Sequence, residues 1–80
     1  MTDERIRVMS YSGRRAEETP RAFFLDKNRI EITEVLDTWI EEGLSDGTRR
    51  RFFKVRGSDG FIHKLYVDER TNEWYRHVSH

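Results

Sequence analysis

The residues of this chain best suited to chemistry are arginines and aromatics placed side by side. Arg49-Arg50-Arg51 runs directly into Phe52-Phe53, and Arg14-Arg15 follows Ser12-Gly13. Guanidinium groups match phosphate and carboxylate oxygens in a bidentate fork. Aromatic rings interleaved with such cations suit stacking on single-stranded nucleic acid. A candidate nucleic-acid surface therefore comprises Arg14, Arg15, Arg49, Arg50 and Arg51. A second set, Trp39, Tyr66, Trp74 and Tyr75, exceeds what one face of so small a core needs. Trp, Tyr and Arg dominate the energetics of protein–protein contacts. These four aromatics form the candidate partner-binding surface.

Other chemistries are poorly served. His63, His77 and His80 have no His-x-x-x-His spacing, and there is no cysteine. A zinc site needs three or four convergent ligands, so neither a metal nor a cofactor is expected. Ser10 and Ser12 flank Tyr11 without the Gly-x-Ser-x-Gly elbow of a serine nucleophile. Ser12-Gly13-Arg14-Arg15 lacks the helix start and the Gly-Lys-Ser/Thr ending of a phosphate-binding loop. It reads better as a solvated loop. Carboxylates are plentiful, but general acid–base catalysis needs a pocket that shifts their pKa values. A domain this small rarely encloses one of the several hundred Å³ that small molecules occupy. No catalytic residue is expected, and the chain reads as non-enzymatic.

The order of the charges qualifies the arginine cluster. From Glu31 to Asp46 every charged side chain is negative, and from Arg49 to Arg56 every one is positive. Gly43 to Thr48 lies between them as a short link. If both runs are strands, the link folds them together and opposite charges can pair across the ladder. Arginines paired in this way are less available to a partner. Those nearest the link, Arg49 to Arg51, are the least constrained.

The chain has 80 residues with 15 basic and 15 acidic side chains, a formal net charge of zero. A dedicated nucleic-acid binder is usually basic. Charged residues make up 38% of the chain. Five Phe, three Tyr and two Trp nonetheless supply the buried area that argues for a folded domain. One domain over 1–80 is expected, with an ordered core of about residues 5–78. No signal peptide or membrane-length apolar run is present. The absence of cysteine fits a reducing compartment, so a cytoplasmic protein, monomeric or weakly dimeric, is expected.

The elements that must position these residues read mostly as strands. Ile6–Tyr11 alternates, and residues 12–18 form a loop. Arg21–Leu25 is a short apolar strand, followed by a tight turn at Asp26-Lys27-Asn28. Arg50–Arg56, Phe61–Val67 and Glu73–Val78 alternate clearly. Gly57-Ser58-Asp59-Gly60 and Asp68–Asn72 supply the turns between them. Ile30–Glu42 is ambiguous. Ile32, Val35, Leu36, Trp39 and Ile40 fall on a helical stripe. Yet β-branched residues dominate the segment, and Glu41-Glu42 would oppose the dipole at a helix C-terminus. A bent strand with a bulge near Glu34 or Val35 is the preferred reading. A helix over 32–42, giving an α+β fold, is the alternative. The expected fold is all-β, an antiparallel meander of five or six strands curled into a small, partly open barrel.

The middle and end of the chain also carry a recognisable set of residues. Glu34-Val35-Leu36-Asp37, Trp39 and Glu41-Glu42-Gly43 are followed by Phe53-Lys54-Val55-Arg56, Asp59-Gly60, Leu65-Tyr66-Val67-Asp68 and Trp74-Tyr75. Over residues 21 to 78 this resembles an uncharacterised family of small bacterial β proteins. It is also similar to a C-terminal segment of ImuB-like proteins, inactive relatives of Y-family polymerases. The resemblance implies a β accessory module associated with DNA repair, with no polymerase residue to carry over. The combined expectation is a small module that binds a protein partner. The alternative is a single-stranded nucleic-acid-binding accessory domain.

Overall fold

The computed structural model describes residues 3–10, 19–43 and 47–78. Arg14, Arg15, His80 and the predicted loop at 12–18 lie outside the described residues. Every regular element among those described is a strand: β1 (Glu4–Ser10), β2 (Pro20–Leu25), β3 (Asn28–Glu42), β4 (Arg49–Gly57), β5 (Ile62–Asp68) and β6 (Glu73–Arg76). Each pairs antiparallel with the next, and β6 pairs with β1 to close a barrel. The all-β expectation holds, and the helix over 32–42 is replaced by strand.

Alternation fills the interior. Ile6 and Val8 of β1, Phe23 of β2, Ile30 and Ile32 of β3, Phe53 and Val55 of β4, Leu65 and Val67 of β5 and Trp74 of β6 pack into one core. Phe23, Val55 and Leu65 are the largest fully buried side chains. The turns follow local backbone chemistry. Asp26 takes the positive φ of 57° in the β2–β3 turn. The short Asp side chain tolerates that conformation, and Asn28 joins β3 opposite Leu25. The β4–β5 hairpin turns at Ser58-Asp59-Gly60, with the Gly60 N–H donating to the Gly57 carbonyl at 3.0 Å.

Gly57 is required for closeness rather than for φ. A Cβ there would lie 2.6 Å from Asp59 Oδ1 and 2.7 Å from Cγ2 of the buried Ile30.

β3 explains its own ambiguity. Its register against β4 slips twice, between Ile32 and Glu34 and between Val35 and Asp37. Each slip inserts one unpaired residue, Thr33 and then Leu36. The residues opposite the inward positions of β4 become Ile32, Val35, Thr38 and Ile40. Two bulges thus stretch a spacing of two toward three, and the result imitates a helical stripe. Trp39 belonged to that stripe in sequence, but the strand places it opposite Phe52 on the outer face.

β3 also outruns one neighbour. β2 pairs with it only from Asn28 to Glu31, whereas β4 accompanies it to Glu42. Among the described residues, the side of β3 from Ile32 onward that faces away from β4 has no strand beside it. A notch of 260 Å³ marks the departure of β2, bounded by Thr19, Pro20 and Arg21 on one side and Ile32 to Val35 on the other.

Leu65→Ala is expected to cost about 2–5 kcal/mol, as other large-to-small core changes do. A single core of this size rarely supplies more than ~3–5 kcal/mol. The variant should therefore be largely unfolded in urea titrations, whereas Val35→Ala, at an exposed position, should shift stability by no more than about 0.5 kcal/mol.

Candidate interaction edge and aromatic face

Because Phe53 and Val55 point inward, Arg50, Phe52, Lys54 and Arg56 of β4 point outward. β3 opposes them in order: Glu41 to Arg50, Trp39 to Phe52, Asp37 to Lys54 and Glu34 to Arg56. On the other flank of β4, Tyr66 of β5 stands opposite Phe52, and Tyr75 of β6 stands opposite Tyr66. The outer face thus carries an aromatic row across four strands, Trp39–Phe52–Tyr66–Tyr75. Ring centroids are 5.3, 4.8 and 5.2 Å apart. Trp39 and Phe52 lie within 6° of parallel. The Trp39–Phe52 and Tyr66–Tyr75 pairs are stacked and Phe52–Tyr66 is tilted by 32°, so the row consumes much of its own π surface. Offset stacks of this kind are worth ~0.5–1.5 kcal/mol per pair beyond burial.

Cations cover the row. The Arg50 guanidinium lies 5.7 Å from the Tyr66 ring centre. Lys64 faces Lys54 in register, a like-charge pair that is unfavourable. The Lys64 ammonium instead lies 5.5 Å from Trp39 and 5.4 Å from Phe52. Being nearly equidistant, it sits beside the two stacked rings, and among the described residues no second ring or cation stacks on Trp39.

The predicted aromatic set divides accordingly. Trp39 and Tyr75 are half-buried members of the outer row. Tyr66 is in the row but only 8% exposed, clamped by its neighbours. Trp74 is not a surface residue. It is 9% exposed, tilted against Phe53 inside the barrel, because alternation along β6 turns it inward when Tyr75 faces out.

Two members of the arginine cluster, Arg49 and Arg51, are engaged at home. Arg49 contacts Glu42 and Glu69, each at 3.2 Å. Arg51 contacts Glu69 at 2.9 Å, and Arg56 contacts Glu34 at 3.4 Å. The expected pairing of the acidic and basic runs is present, with Glu69 of the β5–β6 turn as an additional partner that sequence order did not reveal. Asp37 and Glu41 behave differently. Among the described residues neither forms an ion pair. Asp37 Oδ1 accepts the Thr38 N–H at 2.8 Å, and Glu41 accepts the Trp39 Nε1–H at 3.0 Å. With Trp39 they form an acidic–aromatic–acidic triad that residue-by-residue reading missed. Its signal was the alternation of Asp37, Trp39 and Glu41.

The opposite end of the barrel holds an open cleft of 750 Å³ with Leu25, Phe61, Ile62, His63 and Arg76 among its lining residues. Within it His63 is 8% exposed and meets Asp59 Oδ2 at 3.0 Å. Burial alone would raise the Asp59 carboxyl, but the Phe61 N–H and the His63 ring outweigh it and hold the pKa below the ordinary carboxylate value. Asp3 is similar. Burial pushes it up, while the Tyr66 hydroxyl, the Val78 N–H and His77 bring it down further. Burial, followed by the Asp3 hydrogen bond, raises the Tyr66 phenol well above its ordinary value. Among the described residues no three His, Asp or Glu side chains converge as a metal site, and no helix is long and apolar enough to cross a membrane. Comparison with family models, curated proteins and solved structures finds no match.

Asp3 and Asp59 have depressed pKa values in the folded chain. Their stabilisation is present above the unfolded carboxylate pKa of about 4 and is lost as pH falls through the folded values. Denaturant titrations should show stability falling below about pH 4. Asp59→Asn should be less stable at neutral pH and should lose stability less steeply on acidification.

Proposed function

We propose that this chain is a non-enzymatic interaction module that receives a partner polypeptide along the side of β3 that, among the described residues, has no strand beside it. The observation that carries this reading is the eleven-residue mismatch between neighbours: β4 follows β3 from Ile32 to Glu42, and β2 does not. Strand addition at an exposed sheet edge is a recurrent mode of peptide recognition, in which backbone hydrogen bonds give affinity and alternate side chains give specificity. Backbone direction supports it. The Gly43 N–H donates to the Thr48 carbonyl, toward β4. Antiparallel alternation then turns the N–H and C=O of Glu42, Ile40 and Thr38 to the other side. The Thr38 N–H is already held by the Asp37 carboxylate, which leaves Ile40 and Glu42 as the donors for an incoming strand.

The likeness to the ImuB-like segment fits an accessory module of this kind and supplies no catalytic group. Single-stranded nucleic-acid binding is the second reading, and what favours it is Arg50, which lies over Tyr66 without an ion pair among the described residues. The pairing of Arg49 and Arg51 weakens it, as does an aromatic row whose faces are already stacked.

A photo-crosslinking residue in place of Ile40 is expected to capture a protein in the native cell, and the same probe at exposed Arg29 is not. Thr38→Pro should abolish that capture by setting its ring in the path of the incoming strand, without unfolding the domain, because the Thr38 N–H makes no bond to β4 and proline is tolerated at such edges. Equal capture from both probe positions, or capture that survives Thr38→Pro, would count against the edge. An oligonucleotide titration at low ionic strength is expected to show no salt-dependent affinity. Binding that falls steeply with salt and weakens on Arg50→Glu would favour the second reading instead.

A further inference from the structure

β3 already recognises one strand through the face it would offer to another. On its β4 side Glu41, Trp39 and Asp37 stand opposite Arg50, Phe52 and Lys54. Trp39 stacks on Phe52 at 5.3 Å and 6°. The same three side chains of β3 border the side that, among the described residues, has no strand beside it. Asp37 and Glu41 form no ion pair among the described residues and hold their acceptor bonds locally. From this geometry we infer that the edge of β3 selects an extended partner segment of the pattern basic-x-aromatic-x-basic, its aromatic stacked on Trp39 and its cations opposite Asp37 and Glu41. The inference rests on the reading of β3 as a partner-binding edge and adds the side-chain code.

Three features support the assignment. On the unpaired side Ile40 and Glu42 carry the backbone bonds, so Trp39 lies at a position without them. Side chains at such positions approach most closely across an antiparallel pair, which favours ring stacking. The pattern is also symmetric about its centre, so it fits whichever way the partner strand runs. Finally, a second copy of this chain is a poor occupant. Two β3 edges paired antiparallel about Trp39 would set Asp37 of each against Glu41 of the other, and like charges directly opposite are unfavourable. The two bulges add to this, since bulges and charges on an edge are the usual guards against self-pairing.

The test uses three labelled peptides in a threonine host, Thr-Arg-Thr-Phe-Thr-Lys-Thr, its Glu-Thr-Phe-Thr-Glu counterpart, and the first with alanine in place of phenylalanine. The basic-aromatic peptide is expected to bind the full chain about ten-fold tighter than either control, the scale set by three cross-strand pairs acting together. In hydrogen exchange it should protect the amides of Ile40 and Glu42. Asp37→Asn combined with Glu41→Gln keeps the acceptors used by Thr38 and Trp39 while removing both charges. That double variant should remain folded and lose most of the preference, and Trp39→Ala should lose the advantage of phenylalanine over alanine. Equal binding of the acidic peptide, an unchanged preference in the neutralised variant, or protection at β5 or β6 would overturn the code. So would sedimentation showing that the edge is filled by a second copy. If cross-linking at position 40 persists while the peptides are not distinguished, the code fails and the edge reading stands. If both vanish, the edge reading fails with it.

Discussion

The register of β3 on β4 is the constraint from which the rest of this structure follows. Side chains in a strand alternate, so a slip of one residue moves an entire set to the other face. Two slips occur within five residues of β3, and together they restore the original parity. Ile30 and Ile32 face the core before them, and Trp39 faces outward after them. A single bulge would have put Trp39 inside and Thr38 and Ile40 outside, with no aromatic row and no acidic triad.

Charge fixes this register more than it stabilises the fold. The pairs along the two strands are exposed, and exposed ion pairs are worth ~0–1 kcal/mol each. Sliding β3 along β4 would nevertheless uncouple Glu34 from Arg56 and Glu42 from Arg49 together. Below that layer the stability comes from the inward set around Phe23, Val55 and Leu65. Asp3 adds a tie by joining Tyr66, His77 and the Val78 N–H. An N-terminal carboxylate thereby holds one ring of the outer row and the segment after β6.

Most of the fold was readable because alternation is a strong signal where strands are regular. Phe53, Val55, His63, Leu65, Val67 and Trp74 fall inward as their spacing dictates. β3 resisted because bulges are properties of a pair of strands. Nothing in Thr33 or Leu36 alone shows that each is unopposed. The candidate site was readable only in part. Counting aromatics selected Trp39 and Tyr75, which lie half-buried in the outer row, but without tracking parity it also selected Trp74, which alternation sends inside. The arginine cluster looked available because its partner Glu69 lies in a later turn. Asp37 and Glu41 were visible only as members of a charge run. Their separate standing depends on which carboxylates the arginines take first, and that is a matter of three-dimensional reach.

The closure of the barrel rests on a short seam. Among the described residues, β1 and β6 pair through Glu4, Arg5 and Ile6 against Arg76, Tyr75 and Trp74. The start of β1 and the end of β6 lie together at one extremity of that seam. Tension applied between Asp3 and Val78 would therefore peel the two strands apart one bond at a time, the weakest mechanical arrangement for a pair of strands. The long β3–β4 ribbon lies on the far side of the barrel from this line of force. Mechanically the domain resembles a clasp, whose rim opens under a small load while the surface that carries Trp39 keeps its shape.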